Sequence, residues 1–177
     1  YFNLTTVQAG SQFAGGEDHS LASSPLEVTY DETSKTITVL KANYQILNDI
    51  VFPYDYDVVI QPGTIIRLGE KVSVIVQGGL KAVGRNELPI AVVRDKPDKA
   101  FGSFSVISND HDRVTLSYFS ISGGSEAVKV GVYFSGQMSV HNADISIQNS
   151  SFSNSESDDG INIKYSTSGN FIDSVSA

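Results

Sequence analysis

Residues 58–84 constrain the fold more than any other stretch, and they read VVIQPGTIIRLGEKVSVIVQGGLKAVG. Segments rich in Val and Ile, three to five residues long, alternate with turns that carry Gly63, Gly69, the pair Gly78 and Gly79, and Gly84. Such segments are too short for helices, and β-branched residues suit strands. Strands that turn this often indicate a chain that coils, rather than one that folds back in long hairpins.

Apolar segments recur along the rest of the chain. Val58, Val74 and Ile90 are spaced 16 residues apart (74 − 58 and 90 − 74), and so are Ile145 and Ile161. Repeats of about 16 to 25 residues are too short for propeller blades or helical hairpins, and no segment keeps a helical period. The sequence therefore predicts an all-β solenoid, a β-helix with three short strands per coil and Val and Ile stacked inside.

The first residues of such a solenoid need a cover, because an open sheet edge promotes aggregation. Residues 26–40 alternate as a hairpin does, and four aromatic residues follow: Tyr44, Phe52, Tyr54 and Tyr56. We therefore predict a leader and an aromatic capping hairpin over residues 1–57. One continuous domain of coils is expected over residues 58–177.

A family resemblance supports this architecture through several phrases of the sequence. They are VVIQPGTIIRL, SVIVQGGLKAVG, LSYFSISGG, GVYFSG, ISIQNSSFSNS and DDGINIKYS. With them, residues 44–175 resemble the right-handed parallel β-helices of the pectate-lyase-like superfamily, in particular repeat proteins secreted by bacteria or held on their surface. The resemblance implies a secreted or cell-surface location.

Stacked coils give individual residues predictable places. We expect Phe119, Phe152 and Phe171 inside the stack, and Asn149 and Asn170 at left-handed turns. We also expect further coils or other domains of the parent chain beyond Ala177, or pairing of that end with a neighbour.

Composition excludes several partners. The net charge is −8, and the Lys and Arg residues form no basic stripe, so nucleic acid is not an expected partner. No apolar run approaches the length of about 18 residues that a membrane span needs. The chain has no Cys, which excludes disulfides and thiolate metal sites.

Residues 141–164 hold the candidate chemistry. Carboxylates on adjacent coils can supply the general acid and the water-activating base of glycoside hydrolysis. The words NADISI and SDDGINIK resemble acidic motifs of polygalacturonase-type glycosidases, which implies Asp144, Asp158 and Asp159 as catalytic acids. The candidate substrate-binding residues are Lys164, which is also the candidate base of a lyase, with His141 and Tyr133.

Two other interpretations of these acids stay open. Asp158, Asp159 and Gly160 also match an ordinary turn between coils, since Asp-Gly is a common turn dipeptide. A calcium site formed by Asp144, Glu156, Asp158 and Asp159 is a further alternative, because calcium prefers oxygen ligands. The expected cofactor is accordingly none, or calcium.

Two classes of function follow from these patterns. In the first, the chain is a non-catalytic β-helical module of a secreted or surface protein, acting in glycan binding, adhesion or as a rigid spacer. In the second, it is the N-terminal part of a polysaccharide-degrading enzyme, a polygalacturonase-like hydrolase or a uronan lyase. A polysaccharide is the expected partner in either class, apart from a spacer role.

Overall fold

A computed structural model of the chain describes residues 6–8, 19–109, 112–172 and 175–176. This part of the chain is built from β-strands, with one helix of four residues. In chain order the elements are β1 (Thr6–Gln8), α1 (His19–Ala22), β2 (Glu27–Asp31), β3 (Thr36–Val39), β4 (Asn43–Ile46), β5 (Ile50–Phe52), β6 (Asp57–Ile60), β7 (Ile65–Leu68), β8 (Val74–Val76), β9 (Leu80–Val83) and β10 (Ile90–Arg94). They continue with β11 (Phe104–Ile107), β12 (Arg113–Ser117), β13 (Phe119–Ser122), β14 (Ala127–Lys129), β15 (Val132–Phe134), β16 (Gly136–His141), β17 (Asp144–Gln148), β18 (Ser151–Ser153), β19 (Asp159–Lys164), β20 (Gly169–Ile172) and β21 (Val175–Ser176).

Three sheets hold all of these strands except β14 and β15. The eight-stranded sheet has the order β1-β2-β3-β6-β9-β12-β17-β20, the six-stranded sheet β4-β7-β10-β13-β18-β21, and the five-stranded sheet β5-β8-β11-β16-β19. From β4 onward the chain enters the six-stranded, the five-stranded and the eight-stranded sheet in that fixed order. One passage through the three sheets is called a circuit below.

Most strand pairs in these sheets are parallel. Every pair from β3 and β6 onward is parallel, and only the pairs β1–β2 and β2–β3 are antiparallel. Parallel neighbours need long connections, and the intervening strands in the other two sheets supply them. The prediction of an all-β fold is confirmed, with mainly parallel sheets.

The circuits are longer than the predicted 16-residue step, and they vary. In the eight-stranded sheet Val58 pairs with Leu80 and Leu80 with Val114, which gives steps of 22 and 34 residues (80 − 58 and 114 − 80). The predicted alignment of Val58 with Val74 and Ile90 is wrong, because these residues lie in three different sheets. A 16-residue step there corresponds to two strands with their turns, not to a full circuit.

The core lies between the three sheets. Alternate residues of the strands are buried, as in β6, where Val58 and Ile60 are buried and Asp57 is exposed. Phe119 and Phe152 are stacked inside as predicted, with ring centroids 6.5 Å apart. Burying large aromatic side chains is a major source of stability for a fold of short strands.

Phe171 differs from its prediction, because its side chain is 54% exposed. In register it lies opposite Ile147, which is fully buried. Its strand, β20, is the last strand of the eight-stranded sheet in the described part of the chain. Phe171 therefore lies in line with a buried residue of the neighbouring strand, but no further strand of the described chain covers its side chain.

The predicted turn residues behave differently from each other. Asn149 has φ of 47° and connects β17 to β18, as predicted. Tyr118, one circuit earlier, has φ of 44° at the same corner between β12 and β13. Asn170, in contrast, lies within β20 opposite Ser146, so its predicted role at a turn is wrong.

The N-terminal hairpin is confirmed by the antiparallel pairing of β2 with β3. Its turn is held by Asp31, whose Oδ1 accepts hydrogen bonds from two backbone amides of the turn, 2.9 and 3.1 Å away. Helix α1 packs against β5. Of the four predicted cap aromatics, Tyr44, Phe52 and Tyr56 are buried, whereas Tyr54 is 64% exposed.

No helix in the described ranges is long and apolar enough to cross a membrane.

Candidate functional site

An antiparallel hairpin, β14–β15, lies in the connection between β13 and β16, outside the three sheets. Val128 pairs with Tyr133, and these two side chains are 70% and 49% exposed. Phe134, the next residue along, is fully buried. Because side chains alternate along strands, the hairpin has one face toward the body of the protein and one toward solvent.

The buried face of the hairpin packs on the outer side of the five-stranded sheet. In β16, Met138 and Val140 belong to the core, so Ser139 and His141 point outward, yet both are buried. The ring of Phe134 lies over that of His141, with centroids 5.2 Å apart. A second packed layer therefore lies outside the sheet.

Ile75 supports this second layer. It aligns through Ser105 with Ser139 across three parallel strands, and it is 1% exposed. Among the buried hydrophobic residues of the described chain, Ile75 and Phe134 are the two outside the main core cluster. The layer beneath the hairpin is therefore small and separate from the core.

An ion pair ties the hairpin to the far side of the same sheet. Lys129 Nζ lies 2.6 Å from Asp49 Oδ2, and the two side chains are 27% and 41% exposed. Asp49 comes just before β5, the edge strand opposite β19. Its Oδ1 also accepts a hydrogen bond from the Ser73 amide, 2.8 Å away. The hairpin therefore reaches across the sheet from β16 toward β5.

The hairpin turn is formed by Val130 and Gly131, with φ of 47° and 75°. Positive φ at both central residues is the pattern of a type I′ turn, which matches the twist of hairpin strands. A β-branched residue is strained in this conformation. Val130 is also 49% exposed, so the turn combines backbone strain with an exposed apolar side chain.

The charges of three carboxylates act on Tyr133, and Glu126, Tyr133, Asp158 and Asp159 are together called the Tyr133 patch. The Tyr133 hydroxyl donates a hydrogen bond to Glu126 Oε2, 2.8 Å away. This bond, partial burial and the charges of Glu126, Asp158 and Asp159 raise the pKa of Tyr133. None of the three acids forms an ion pair with a described residue. The patch is therefore an exposed ring in a negatively charged setting.

Asp159 connects the patch to the five-stranded sheet. Its Oδ2 accepts hydrogen bonds from Ser135 Oγ at 3.2 Å and from Asn162 Nδ2 at 3.1 Å. Ser135 follows the hairpin and Asn162 lies in β19. The carboxylate thus joins the base of the hairpin to the last strand of the sheet.

Asp144 lies apart from the other predicted catalytic acids. Its Oδ1 accepts hydrogen bonds from the hydroxyl and amide of Thr167, at 2.7 and 3.1 Å, and from the amide of Ser168, at 3.0 Å. These bonds lower the pKa of Asp144 to about 2. Thr167 follows the end of β19, whereas Asp159 begins it, and a strand of this length spans roughly 16 Å. The structure brings Asp158 and Asp159 to Tyr133 but leaves Asp144 at the other end.

The two remaining predicted binding residues lie next to each other. His141 and Lys164 are in register on the adjacent strands β16 and β19. Burial, and then the charge of Lys164, lower the pKa of His141, and a contact with the Asn162 side chain partly offsets them. His141 Nε2 and Asn162 Oδ1 are both buried, and neither makes a hydrogen bond of good geometry in the described structure. Tyr133, by contrast, lies with the acids near the start of β19.

The four predicted calcium ligands are not assembled into a site. Glu156 forms an ion pair with Arg94, 2.9 Å away, and Oδ1 of Asp144 accepts the hydrogen bonds of the Thr167 turn. In the described ranges, no group of three or more His, Asp or Glu side chains could hold a metal ion. Asp144 and Asp159 are close in sequence but separated in space, because Asp144 begins β17 in the eight-stranded sheet and Asp159 begins β19 in the five-stranded sheet.

The sequence interpretation missed the hairpin and Glu126, which depends on it. A signal was present: two short apolar segments, AVK and VYF, flank Val130 and Gly131. Two strand-like segments separated by two residues, one of them Gly, are typical of a hairpin. No sequence pattern singled out Asn162, because its role depends on contacts with Asp159 and His141 that arise only in the folded structure.

Comparisons with known proteins do not supply a relative for this site. No family model, no curated protein and no solved structure matches the chain.

Proposed function

We propose that this chain is a right-handed parallel β-helix that serves as a non-catalytic, glycan-binding module of a secreted or cell-surface protein. The fixed order in which strands enter the three sheets supports the solenoid. Right-handedness is the rule for connections between parallel strands of one sheet. A stack of circuits also offers an extended surface from which an inserted hairpin can project.

The exposed ring of Tyr133 is the observation that carries the proposed binding function. The ring is 49% exposed, and its hydroxyl is held by Glu126. The C–H groups on one face of a sugar ring are apolar and pack well against an aromatic ring. Val128, directly opposite in the hairpin, widens the apolar surface beside it. A half-exposed aromatic residue of this kind suits a sugar ring.

The carboxylates around the ring suit hydroxyl groups. An ionised Asp or Glu accepts hydrogen bonds only, and sugar hydroxyls are donors. The charges of Asp158 and Asp159 act on Tyr133, and neither acid forms an ion pair with a described residue. The same negative charge repels acidic polysaccharides, so the proposed ligand is a neutral glycan.

The placement of the acids favours binding over catalysis. Glycosidases hold their two carboxyl groups about 5 to 9.5 Å apart. Asp159 and the region around Asp144 are separated by the length of β19, roughly 16 Å. A general acid also needs a raised pKa, whereas that of Asp144 is lowered to about 2.

Binding to insoluble neutral polysaccharides tests the proposal. Cellulose, xylan and chitin are incubated with the wild-type protein, with Tyr133→Ala and with Tyr54→Ala, and the unbound protein is measured. Tyr54 is a matched control because it is exposed but lies far from the hairpin in sequence and outside the Tyr133 patch. We expect wild type and Tyr54→Ala to bind one of these polymers alike. Loss of the Tyr133 ring is expected to weaken that binding about tenfold, which is about 1.4 kcal/mol.

Two results would contradict this function. Equal binding by Tyr133→Ala and wild type, or no binding to any of the three polymers, would remove the support for a glycan site at Tyr133. Release of reducing sugar by the wild-type protein would instead favour the alternative, a polysaccharide-degrading enzyme.

A further inference from the structure

We propose that the β14–β15 hairpin is a proton-sensitive lid, which opens from the five-stranded sheet when His141 takes up a proton. This inference does not depend on glycan binding. It rests on the packing of the hairpin against the sheet and on two buried polar atoms beneath its edge.

The closed arrangement leaves these two polar atoms poorly hydrogen-bonded. His141 is 6% exposed, and neither its Nε2 nor Asn162 Oδ1 makes a hydrogen bond of good geometry in the described chain. The two side chains interact with each other, but this interaction raises the pKa of His141 less than burial and Lys164 lower it. The Asn162 amide cannot simply rotate, because its Nδ2 donates to Asp159 and the reverse orientation would place two oxygens together. Burying polar atoms with poor hydrogen bonds destabilises the closed state, and opening would hydrate both of them.

The attachments that hold the hairpin closed are few. β14 and β15 pair with each other and with no strand of the three sheets. The ion pair of Lys129 with Asp49 is partly exposed, and exposed ion pairs add little stability. Phe134 contacts the His141 ring on the sheet, and the Asp159 carboxylate joins Ser135, just after the hairpin, to β19. The hairpin can therefore leave the sheet without breaking any of the parallel ladders.

The surroundings of His141 disfavour a positive charge in the closed state. The hairpin contributes Phe134 and β19 contributes the Lys164 ammonium, while Ile107 is the register partner on β11. Among the described residues, no carboxylate forms an ion pair with His141. Asp112, which follows β11, is hydrogen-bonded to Ser108. In the closed state only the contact with Asn162 favours a proton on the imidazole, and burial and Lys164 outweigh it, so the proton is better stabilised when the ring reaches water.

The direction of the pH effect follows from these contacts. Burial and Lys164 lower the pKa of His141 in the closed state, and an exposed imidazole has a pKa of about 6.5. Above that pH the imidazole is neutral in both states and the lid stays closed. Below it, the ratio of open to closed molecules rises up to tenfold for each pH unit, until the lowered pKa is reached.

Hydrogen exchange of the wild-type protein measures the opening. Exchange of residues 126–134 is followed by mass spectrometry between about pH 7.5 and pH 5, and rates are corrected for intrinsic exchange. We expect the protection of this segment to fall up to tenfold per pH unit below about 6.5, while β8 and β11 stay protected. The variant His141→Gln, which cannot take up the proton, is expected to lose this dependence. The control variant His19→Gln, which changes a histidine elsewhere in the sequence, is expected to keep it.

An NMR titration of the His141 imidazole in the wild-type protein gives a second test that needs no variant. A His141 pKa at or above about 6.5 would overturn the proposal, because protonation would then not favour opening. Hairpin protection that does not change with pH would overturn it as well. So would a pH dependence that His141→Gln retains.

Discussion

Replacing two buried phenylalanines separately tests whether the hairpin is a layer distinct from the core. Phe119 and Phe134 are 1% and 0% exposed. Phe119 packs between Phe104 and Phe152, with centroids 6.3 and 6.5 Å away, in the main core. Phe134 lies outside that core and contacts the His141 ring. The same truncation to Ala is therefore expected to have two different consequences.

The expected magnitudes follow from where each ring is packed. Loss of a buried Phe side chain costs about 3 to 5 kcal/mol. For Phe119→Ala the whole amount should appear in the free energy of unfolding, which lowers Tm by roughly 6 to 20 °C in a chain of this size. For Phe134→Ala the hairpin can detach while the sheets stay folded. The loss in global stability is then limited to the small contribution of the hairpin, less than about 2 kcal/mol.

Urea unfolding followed by circular dichroism measures the global effect, and hydrogen exchange of residues 126–134 measures the local one. Phe134→Ala should remove most of the protection of the hairpin while the unfolding midpoint changes little. Phe119→Ala should shift the midpoint and weaken protection in all three sheets. Equal losses of global stability in the two variants, with no selective exchange in the hairpin, would refute the separation of the two layers.

Two further substitutions test local features of the same region. Asp144→Asn should lower Tm near pH 7, because the carboxylate that holds the Thr167 turn is lost. The stability that comes from an acid with a lowered pKa is complete above the ordinary pKa of 3.8 and disappears as pH falls through about 2. The Tm values of wild type and variant should therefore converge near pH 2, and a difference that stays constant with pH would contradict a role of the charge. Val130→Asn should stabilise the hairpin by about 1 kcal/mol, because Asn tolerates the positive φ of 47° better than Val. Slower hydrogen exchange of residues 126–134 in the variant is the expected result. Unchanged exchange would mean that the turn is not strained.

The strands of this protein could be predicted from its sequence because their signals are local. Short β-branched segments that end at Gly78 and Gly84 are strands in the structure, and the alternation around Asp31 is a hairpin. The circuit length could not be predicted in the same way. Val58 and Val74 look equivalent in sequence, but the number of residues in each turn decides which strand lies beside which.

The candidate site could be predicted only in part, for a related reason. Asp144 and Asp158 are closer in sequence than the length of one circuit, so Asp144 lies in the eight-stranded sheet and Asp158 just before a strand of the five-stranded sheet. Asp158 and Tyr133 are further apart in sequence, yet the charge of Asp158 acts on Tyr133, because the hairpin lies near the start of β19. The contacts of an inserted segment such as the β14–β15 hairpin depend on the part of the sheet on which it packs. The sequence pattern of the strands in that sheet does not predict this position.

The unequal length of the circuits has a consequence for how such a chain can change. From Phe104 to Met138 a circuit takes 34 residues (138 − 104), and from Met138 to Ile161 it takes 23 (161 − 138), yet both pairs keep the parallel register. The longer circuit contains the whole β14–β15 hairpin. A connection between two strands of different sheets can therefore be lengthened while the parallel pairing of the strands is kept. A binding loop can be acquired, exchanged or grafted at one corner while the scaffold is inherited unchanged.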